Sequence, residues 1–395
     1  MIVYLGLALG RLPGLALDRT GVALLGAIAL IALGYESLDG PWQAVDLPTL
    51  ALLFGLMVLS AQFRLGGFYT FVVKKLAGAD LSPRALLGWL ILTAGGLSAV
   101  LANDIVCLAM APVLIDGCGK RGLDPKPFLL ALACASNVGS AATLIGNPQN
   151  MLIGQVLHLS FVEYSGLALP PSLIGLGLIW LVISRCYKGS WQGAGGLREA
   201  DVKPFDAWQT GKGLAVLSAL VLAFLFSPLP REIAALAAGG ILLCSRKMRS
   251  REMLGLVDWQ LLLLFICLFV VNHTLKTTGE LDRLAGFLNA AGVRLEQPIW
   301  LFGLCLPLSN LVSNVPAVML LLPYASHPLA GPVLALSSTL AGNLLIVGSI
   351  ANIIVVDQAA RLGVALGWAE HARVGVPVTL ATSLVAGLWL YLVAA

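Results

Sequence analysis

Charge is what this chain has least of. Only 11% of its 395 residues are Asp, Glu, Lys or Arg, under half the share usual in a soluble domain, while 58% are apolar and the mean hydropathy is +0.92. A soluble chain of this length could not hide that much apolar surface from water. The seven cysteines (Cys107, Cys118, Cys134, Cys186, Cys244, Cys267, Cys305) stand singly, with no CxxC pair, so they read as small apolar residues rather than disulfides or a zinc site. HExxH and GxGD sequences are missing as well, which removes the usual intramembrane enzymes, and no metal or cofactor is called for. The net charge of +4 needs no nucleic-acid partner. The opening MIVYLGLALGRLPG has neither a basic leader nor a small-residue cleavage site and reads as a short first span.

What is present is a series of apolar segments long enough for a hydrocarbon core about 30 Å thick. Spans are expected near 1–12, 20–36, 47–63, 127–157, 165–186, 212–227, 231–245, 258–275, 328–357 and 374–394. Two further stretches, 84–117 and 297–326, carry Asn-containing breaks at their centres and read as re-entrant hairpins. Irregular backbone at membrane depth survives only where it lines a polar cavity.

The segments repeat. Asn314 follows Asn103 by 211 positions, and Pro323 follows Pro112, and Leu264-Phe265 follow Leu53-Phe54, at the same spacing. IGNPQNML (Ile145 to Leu152) meets VGSIANII (Val347 to Ile354) at a spacing of 202, setting Gly146 against Gly348 and Asn150 against Asn352. Such internal symmetry, with polar and Gly/Pro interruptions at matching places, points to the substrate site of a secondary transporter. Fifteen of the 24 basic residues cluster in four regions: Arg64 to Arg84, Lys120 to Lys126, Lys188 to Lys212, and Arg246 to Arg251. All lie on one side of the expected topology, which is therefore cytoplasmic, whereas the loop with Glu36, Asp39 and Asp46 has no base. The expected fold is an all-α polytopic membrane protein of two inverted-topology repeats. Each has about five transmembrane helices, one re-entrant hairpin and a helix broken at the midplane. The first repeat covers 1–190 (hairpin 84–117, broken helix 127–157) and the second 212–395 (hairpin 297–326, broken helix 328–357), joined by a cytoplasmic linker at 191–211. Arg64 to Lys75 and Lys276 to Arg283 sit at equivalent positions as interfacial amphipathic segments.

Some polar residues stand where they are expensive. Asn103 and Asp104 interrupt an apolar run, and an Asp at mid-membrane costs roughly 2.5–3.5 kcal/mol on insertion scales. The structural alternative for Asp104 is a helix N-cap; the functional one is a proton carrier. Pro148 cannot continue a regular helix, so the run Ser136 to Asn150 should free carbonyls and a half-helix N-terminus for a cation and a polar substrate. Candidate binding residues in the first half are Asn103, Ser136, Asn137, Gly146, Asn147, Gln149 and Asn150. In the second they are Ser309, Asn310, Ser313, Asn314, Asn343, Gly348, Ser349 and Asn352. Only the first half carries a carboxylate, so on this reading one half titrates and the other only hydrogen-bonds. His273 reads as interfacial, and His158, His327 and His371 as residues of loops or span ends. Cys107 and Cys134 flank the site, but a tight thiolate trap would oppose turnover.

At these residues the chain resembles the ion transporter superfamily, most closely its ArsB-type arsenite permeases and their anion-permease relatives. LANDIVCLAMAPVLI is similar to the family's FAND…TP segment, SNVGSAATLIGNPQN to its Asn-rich break, and SNVPAVML and GSIAN to the second-half counterparts. Carboxylate carriers of the superfamily have a Ser-Asn-Thr tip in each hairpin; here the tips are Ala102-Asn103-Asp104 and Ser313-Asn314-Val315. The resemblance implies arsenite or antimonite export in exchange for protons, with Asp104 as proton acceptor. A neutral, hydroxyl-rich substrate suits a site of amides and hydroxyls, in which no basic residue is expected. A sodium- or proton-coupled carrier of a small anion, or a sodium/proton antiporter, is the alternative on the same fold. The resemblance further implies a homodimer in the inner membrane with both termini outside; a soluble ATPase partner stays open.

Overall fold

The structure, a computed structural model, describes residues 2–9, 17–36, 43–189, 191–193 and 204–394. Residues 10–12 of the expected first span, Asp39, and residues 194–203 of the linker with Arg198 and Lys203 lie outside the described residues. Every described element is helical, apart from one isolated bridge between Leu123 and Gln192.

The first half runs α1 (Ile2–Leu9), α2 (Arg19–Ala32), α3 (Leu47–Leu65), α4 (Phe68–Ala77), α5 (Pro83–Val100), α6 (Asn103–Lys120), α7 (Pro125–Ser140), α8 (Pro148–Val156) and α9 (Phe161–Cys186). The second runs α10 (Ala207–Phe226), α11 (Arg231–Leu243), α12 (Ser250–Leu254), α13 (Trp259–Thr277), α14 (Glu280–Ala290), α15 (Pro298–Val312), α16 (Asn314–Leu321), α17 (Ala330–Ala341), α18 (Ile350–Arg361) and α19 (Trp368–Ala394). Six of these, α3, α5, α9, α10, α13 and α19, are long and apolar enough to cross a membrane. The starts are written locally. Asp46, Ser82, Asp124, Ser160, Asp206 and Asp258 each accept a backbone N–H from the first turn of the helix they precede. Pro stands at the first or second helical position of α3, α5 and α7, where a missing N–H costs nothing.

The order of elements repeats: a span, a short helix, a hairpin, a broken helix, a long final span. Hairpin α5–α6 turns at Leu101-Ala102 and hairpin α15–α16 at Ser313, whose φ of 79° is unusual for a residue with a side chain. Both expected broken helices are broken, between α7 and α8 and between α17 and α18. The halves also exchange partners: α2 packs on α13 while α11 packs on α3, and α8 meets α17 while α18 meets α7.

The core lies at these breaks. α7 buries every residue except Lys126, and α17 buries all twelve of its residues. A helix apolar all round belongs inside. Exposed large apolar side chains are carried instead by the outer helices, among them Leu169, Leu173 and Ile174 of α9 and Leu380, Leu384 and Leu388 of α19. Two boundaries differ from the sequence reading. α9 begins at Phe161 rather than 165 and α19 at Trp368 rather than 374, because Ser160 caps the first and the second carries polar residues into its opening turn.

Candidate functional site

The site is built where the two breaks cross. Asn147 caps α8 by accepting from the Asn150 N–H, and Ser349 caps α18 by accepting from Ala351. Inside each loop one amide holds the carbonyls that the break sets free. Asn150 donates to the carbonyls of Ser140 (3.4 Å) and Thr143 (3.0 Å), and Asn352 to those of Gly342 (2.7 Å) and Leu345 (3.1 Å). The acceptors, like the donors, stand 202 positions apart. The first loop is tight: a Cβ on Gly146 would lie 2.4 Å from the Ser140 carbonyl oxygen.

The halves then bond to each other, reciprocally. Asn137 Nδ2 donates to Asn352 Oδ1 (3.1 Å) and to Asn343 Oδ1 (2.8 Å); Thr339 Oγ1, its counterpart, donates to Asn150 Oδ1 (3.2 Å). Ser349 Oγ donates to Asn137 Oδ1 (2.8 Å), and Asn147 Nδ2 to Thr339 Oγ1 (3.2 Å), where Gln149 also donates (3.2 Å). Each hairpin tip adds an Asn. Asn103 reaches Asn137 Oδ1 (3.5 Å), and its backbone N–H meets the Gly146 carbonyl (3.3 Å). Asn314, with its amide turned to suit its neighbours, donates to the carbonyls of Ser338 and Gly348 and accepts from Gln149. Ser136 donates to the carbonyl of Asn103 and accepts from Ser98.

Three buried atoms on this network have no partner among the described residues: Asn103 Oδ1, Asn310 Oδ1 and Asn343 Nδ2. Two of them flank Asn137, since Asn103 and Asn343 each spend one end of the amide on it. The free ends are an acceptor and a donor. Buried orphans of this kind are rare in native structures and ask for a partner.

Most expected residues therefore converge. Ser309 does not; it lies 3.7 Å from Cys305 Sγ on the buried side of α15. Asn310 is half engaged, donating to the carbonyls of Leu306 and Ala341. Ser313 forms the second tip without a side-chain cap. Asp104 stands apart from the amide network. Ala102, not Asp104, occupies the N-cap of α6, and no side chain caps that helix, so the structural alternative for Asp104 fails. Asp104 instead lines a cavity of about 30 Å³ with Ala102, Pro148, Met151 and the N-capping Asp258 of α13.

One reading of the sequence needs correction, and two gain detail. A basic residue does reach the site: the half-buried guanidinium of Arg19, at the start of α2, donates from Nη2 to the carbonyl of Val347 within the second break (3.3 Å). Sequence distance hid it, since Arg19 and Val347 are brought together only by the fold. His371, read as a residue of a loop or span end, is at a span end. It is buried in the first turn of α19, with Nε2 3.0 Å from the Asn343 carbonyl. The second half is thus not without a titratable group. His273 is likewise more than interfacial: its Nδ1 lies 3.0 Å from the buried carboxylate of Glu36, which also accepts from Thr274. Thr339, Ser140, Thr143 and Tyr164 were missed. Tyr164 accepts from Asn150 and donates to the Ala141 carbonyl. Thr339 and Ser140 were legible as counterparts of Asn137 and Gly342 at the repeat spacing.

Comparison with known proteins gives the frame for this geometry. Residues 4–333 match the family model described as citrate transporter. An uncharacterized transporter of Mycobacterium tuberculosis (strain CDC 1551 / Oshkosh) is 28% identical, covering 95% of this chain and 94% of its own. The silicon efflux transporter of Oryza sativa subsp. japonica is 29% identical over 93% of this chain and 91% of its own. Among solved structures, the YdaH transporter of Alcanivorax borkumensis superposes with a TM-score of 0.60 at 16% identity, over 95% of this chain and 89% of that one, which shows a shared fold. A polytopic helical chain whose buried amides meet at two broken helices, and whose sequence matches that model over most of its length, is a membrane transporter and not an enzyme: it belongs to the citrate transporter family, within the ion transporter superfamily.

Proposed function

We propose that this transporter exports a small, neutral, hydroxyl-rich acid, arsenous or antimonous acid, in exchange for protons by alternating access. The observation that carries this reading is the pair of orphaned ends beside Asn137. Asn103 Oδ1 can only accept and Asn343 Nδ2 can only donate. An undissociated hydroxyl answers both; a carboxylate, which only accepts, answers one. The protein groups that hydrogen-bond within the network are amides, hydroxyls and carbonyls. The similarity to a silicon efflux transporter agrees in kind, because silicic acid is also a neutral polyhydroxylated acid.

In this reading Asp104 is the proton acceptor, placed next to the site but not spent in its hydrogen bonds. The repeats 1–190 and 212–395 are inverted, and the reciprocal bonds between them support that relation. The chain lies in the inner membrane with both termini outside, supported by the four basic regions on one side, and works as a homodimer.

One observation favours a second reading, a proton- or sodium-coupled carrier of a small anion. Arg19 brings a guanidinium to the second break and has no carboxylate partner among the described residues. A flux panel in inverted vesicles separates the two, using arsenite, antimonite, silicic acid, citrate, succinate and sulfate, with and without sodium and a pH gradient. Uptake of arsenite or antimonite driven by the pH gradient is the expected result. Uptake of citrate or sulfate, with none of the neutral acids, would overturn it in favour of the anion carrier.

A further inference from the structure

Tyr164 and His371 occupy the same place in the two halves. Each is the fourth residue of a long final span, α9 from Phe161 and α19 from Trp368. Each reaches a backbone carbonyl at the end of the preceding half-helix: Tyr164 Oη donates to Ala141 (2.8 Å), and His371 Nε2 lies 3.0 Å from the carbonyl oxygen of Asn343. Ala141 and Asn343 are themselves 202 positions apart, the spacing of the two breaks. A carbonyl oxygen can only accept, so Nε2 carries the proton in this contact. The approach is enforced by Gly375 one turn further on, where a Cβ would fall 2.2 Å from the Asn343 carbonyl oxygen and 2.9 Å from His371 Nε2. Asn343 also owns one of the orphaned site atoms, Nδ2.

We infer that His371 is a positioning residue of the second break whose gain and loss of a proton changes how Asn343 presents its free amide to the substrate. A protonated imidazole must offer N–H to the carbonyl, in a charge-assisted bond roughly twice as strong as a neutral one. A neutral imidazole has two tautomers, and the Nδ1–H form turns a lone pair toward the Asn343 oxygen and releases it. A tyrosine has no such choice. The proton-sensitive groups are therefore crossed between the halves: Asp104 has Val315 as its counterpart at the hairpin tips, and His371 has Tyr164 as its counterpart in the final spans.

α17 carries no ionisable side chain. From α7 come Lys126, ion-paired with Glu370, and Cys134. From α9 come Arg185 and Cys186 at its end, where Arg373 donates to the Cys186 carbonyl, and Glu163 and Tyr164 at its start. α9 and α19 run antiparallel, since Trp389 donates to the carbonyl of Leu167 at the far end, so Glu163 is remote from His371.

The inference rests on the transport reading above, and two measurements on the full chain keep their failures apart. The first is arsenite counterflow in proteoliposomes across about pH 5 to 8, the range in which histidine changes charge. Wild type is expected to vary severalfold over that range. His371→Gln, which keeps an N–H at the same reach, and His371→Tyr, which copies the first half, should stay active with a flattened profile. Profiles parallel to wild type in both variants would overturn the inference. The second is a histidine carbon-13 NMR titration in micelles, with the His371 signal assigned by its loss in His371→Gln. That signal should move with pH, and a signal that stays fixed across the same range overturns the inference whatever the cargo. Absence of arsenite counterflow in wild type at every pH would sink the substrate reading alone, with the titration still deciding His371.

Discussion

Asn137→Ala removes the residue that ties the two breaks together. Its side chain makes three bonds of good length, to Asn343 (2.8 Å), Asn352 (3.1 Å) and Ser349 (2.8 Å); the contact with Asn103 at 3.5 Å is too long to count heavily. Side-chain bonds in membrane proteins average about 0.6 kcal/mol, which sets a lower bound of roughly 2 kcal/mol for three. The partners here are inside the protein rather than facing lipid, and they would be left dry, so the cost rises to about 5 kcal/mol if no water enters. With an unfolding entropy near 2.1 cal/mol/K per residue, a chain of this length loses about 1 °C per 0.8 kcal/mol, so the melting temperature should fall by roughly 2–6 °C. Arsenite counterflow should be lost as well, because the donor and acceptor that flank Asn137 lose their common anchor. Asn137→Asp separates shape from bonding: it fills the same space, but an ionised carboxylate cannot donate to Asn343 or Asn352. Ser184→Ala is the control, since Ser184 Oγ is buried without a partner among the described residues and its removal should move the midpoint by less than about 1 °C. Thermal unfolding followed by tryptophan fluorescence in detergent reads all three. If both Asn137 variants melt with the wild type and carry arsenite at its rate, the crossing network is not what holds the site.

The remaining outcomes concern the coupling group and the loops. Asp104→Asn should abolish flux driven by a pH gradient while shifting the melting temperature by no more than about 1–2 °C, because Asp104 caps no helix; gradient-driven arsenite flux at the wild-type rate would remove Asp104 from coupling. Asn150→Ala and Asn352→Ala each release two break carbonyls and should raise the arsenite concentration for half-maximal thermal stabilisation by about tenfold, or 1.4 kcal/mol. An unchanged titration in both variants counts against substrate binding at the breaks. Gly146→Ala puts a methyl 2.4 Å from the Ser140 carbonyl and should cost about 1–3 kcal/mol or more, whereas Gly96→Ala in α5, with open space around it, should cost nothing and favour the helix. Similar melting temperatures for those two variants would show that the first loop is looser than described.

Much of this was legible because membrane helices are written locally. The Asn-, Gly- and Pro-containing interruptions of the apolar segments marked the stretches in which the described helices turn or break. The repeat spacing also paired Asn150 with Asn352 before any contact was known. Interactions between elements distant in sequence were not legible. Arg19 lies 328 positions from Val347 in the chain, and nothing near Arg19 marks it as more than a basic residue before a span. His371 was read only as a residue of a loop or span end, because the polar opening turn of α19 lowers the local hydropathy and moved the expected start of the span to 374. Only packing shows that, within this largely exposed turn, His371 is buried against the second break.

The crossed bonds explain why the halves have diverged so unevenly. Where an atom of one half must bond its counterpart's partner, the pair can differ in residue type provided donor and acceptor stay matched. Thus Thr339 does for Asn150 what Asn137 does for Asn352, and Asn147 does for Thr339 what Ser349 does for Asn137. The two hold-points on the break carbonyls are stricter, since among uncharged side chains only an amide can donate twice from one nitrogen, and both remain Asn. Titratable groups obey neither constraint. Neither Asp104 nor His371 has a counterpart of a residue type that ordinarily titrates near neutral pH, and each adjoins the hydrogen-bonded frame of the site at a position the other half fills with Val315 or Tyr164. For the proton exchange proposed above, a symmetric frame lets the two access states share a geometry, while asymmetric charge lets protonation distinguish them.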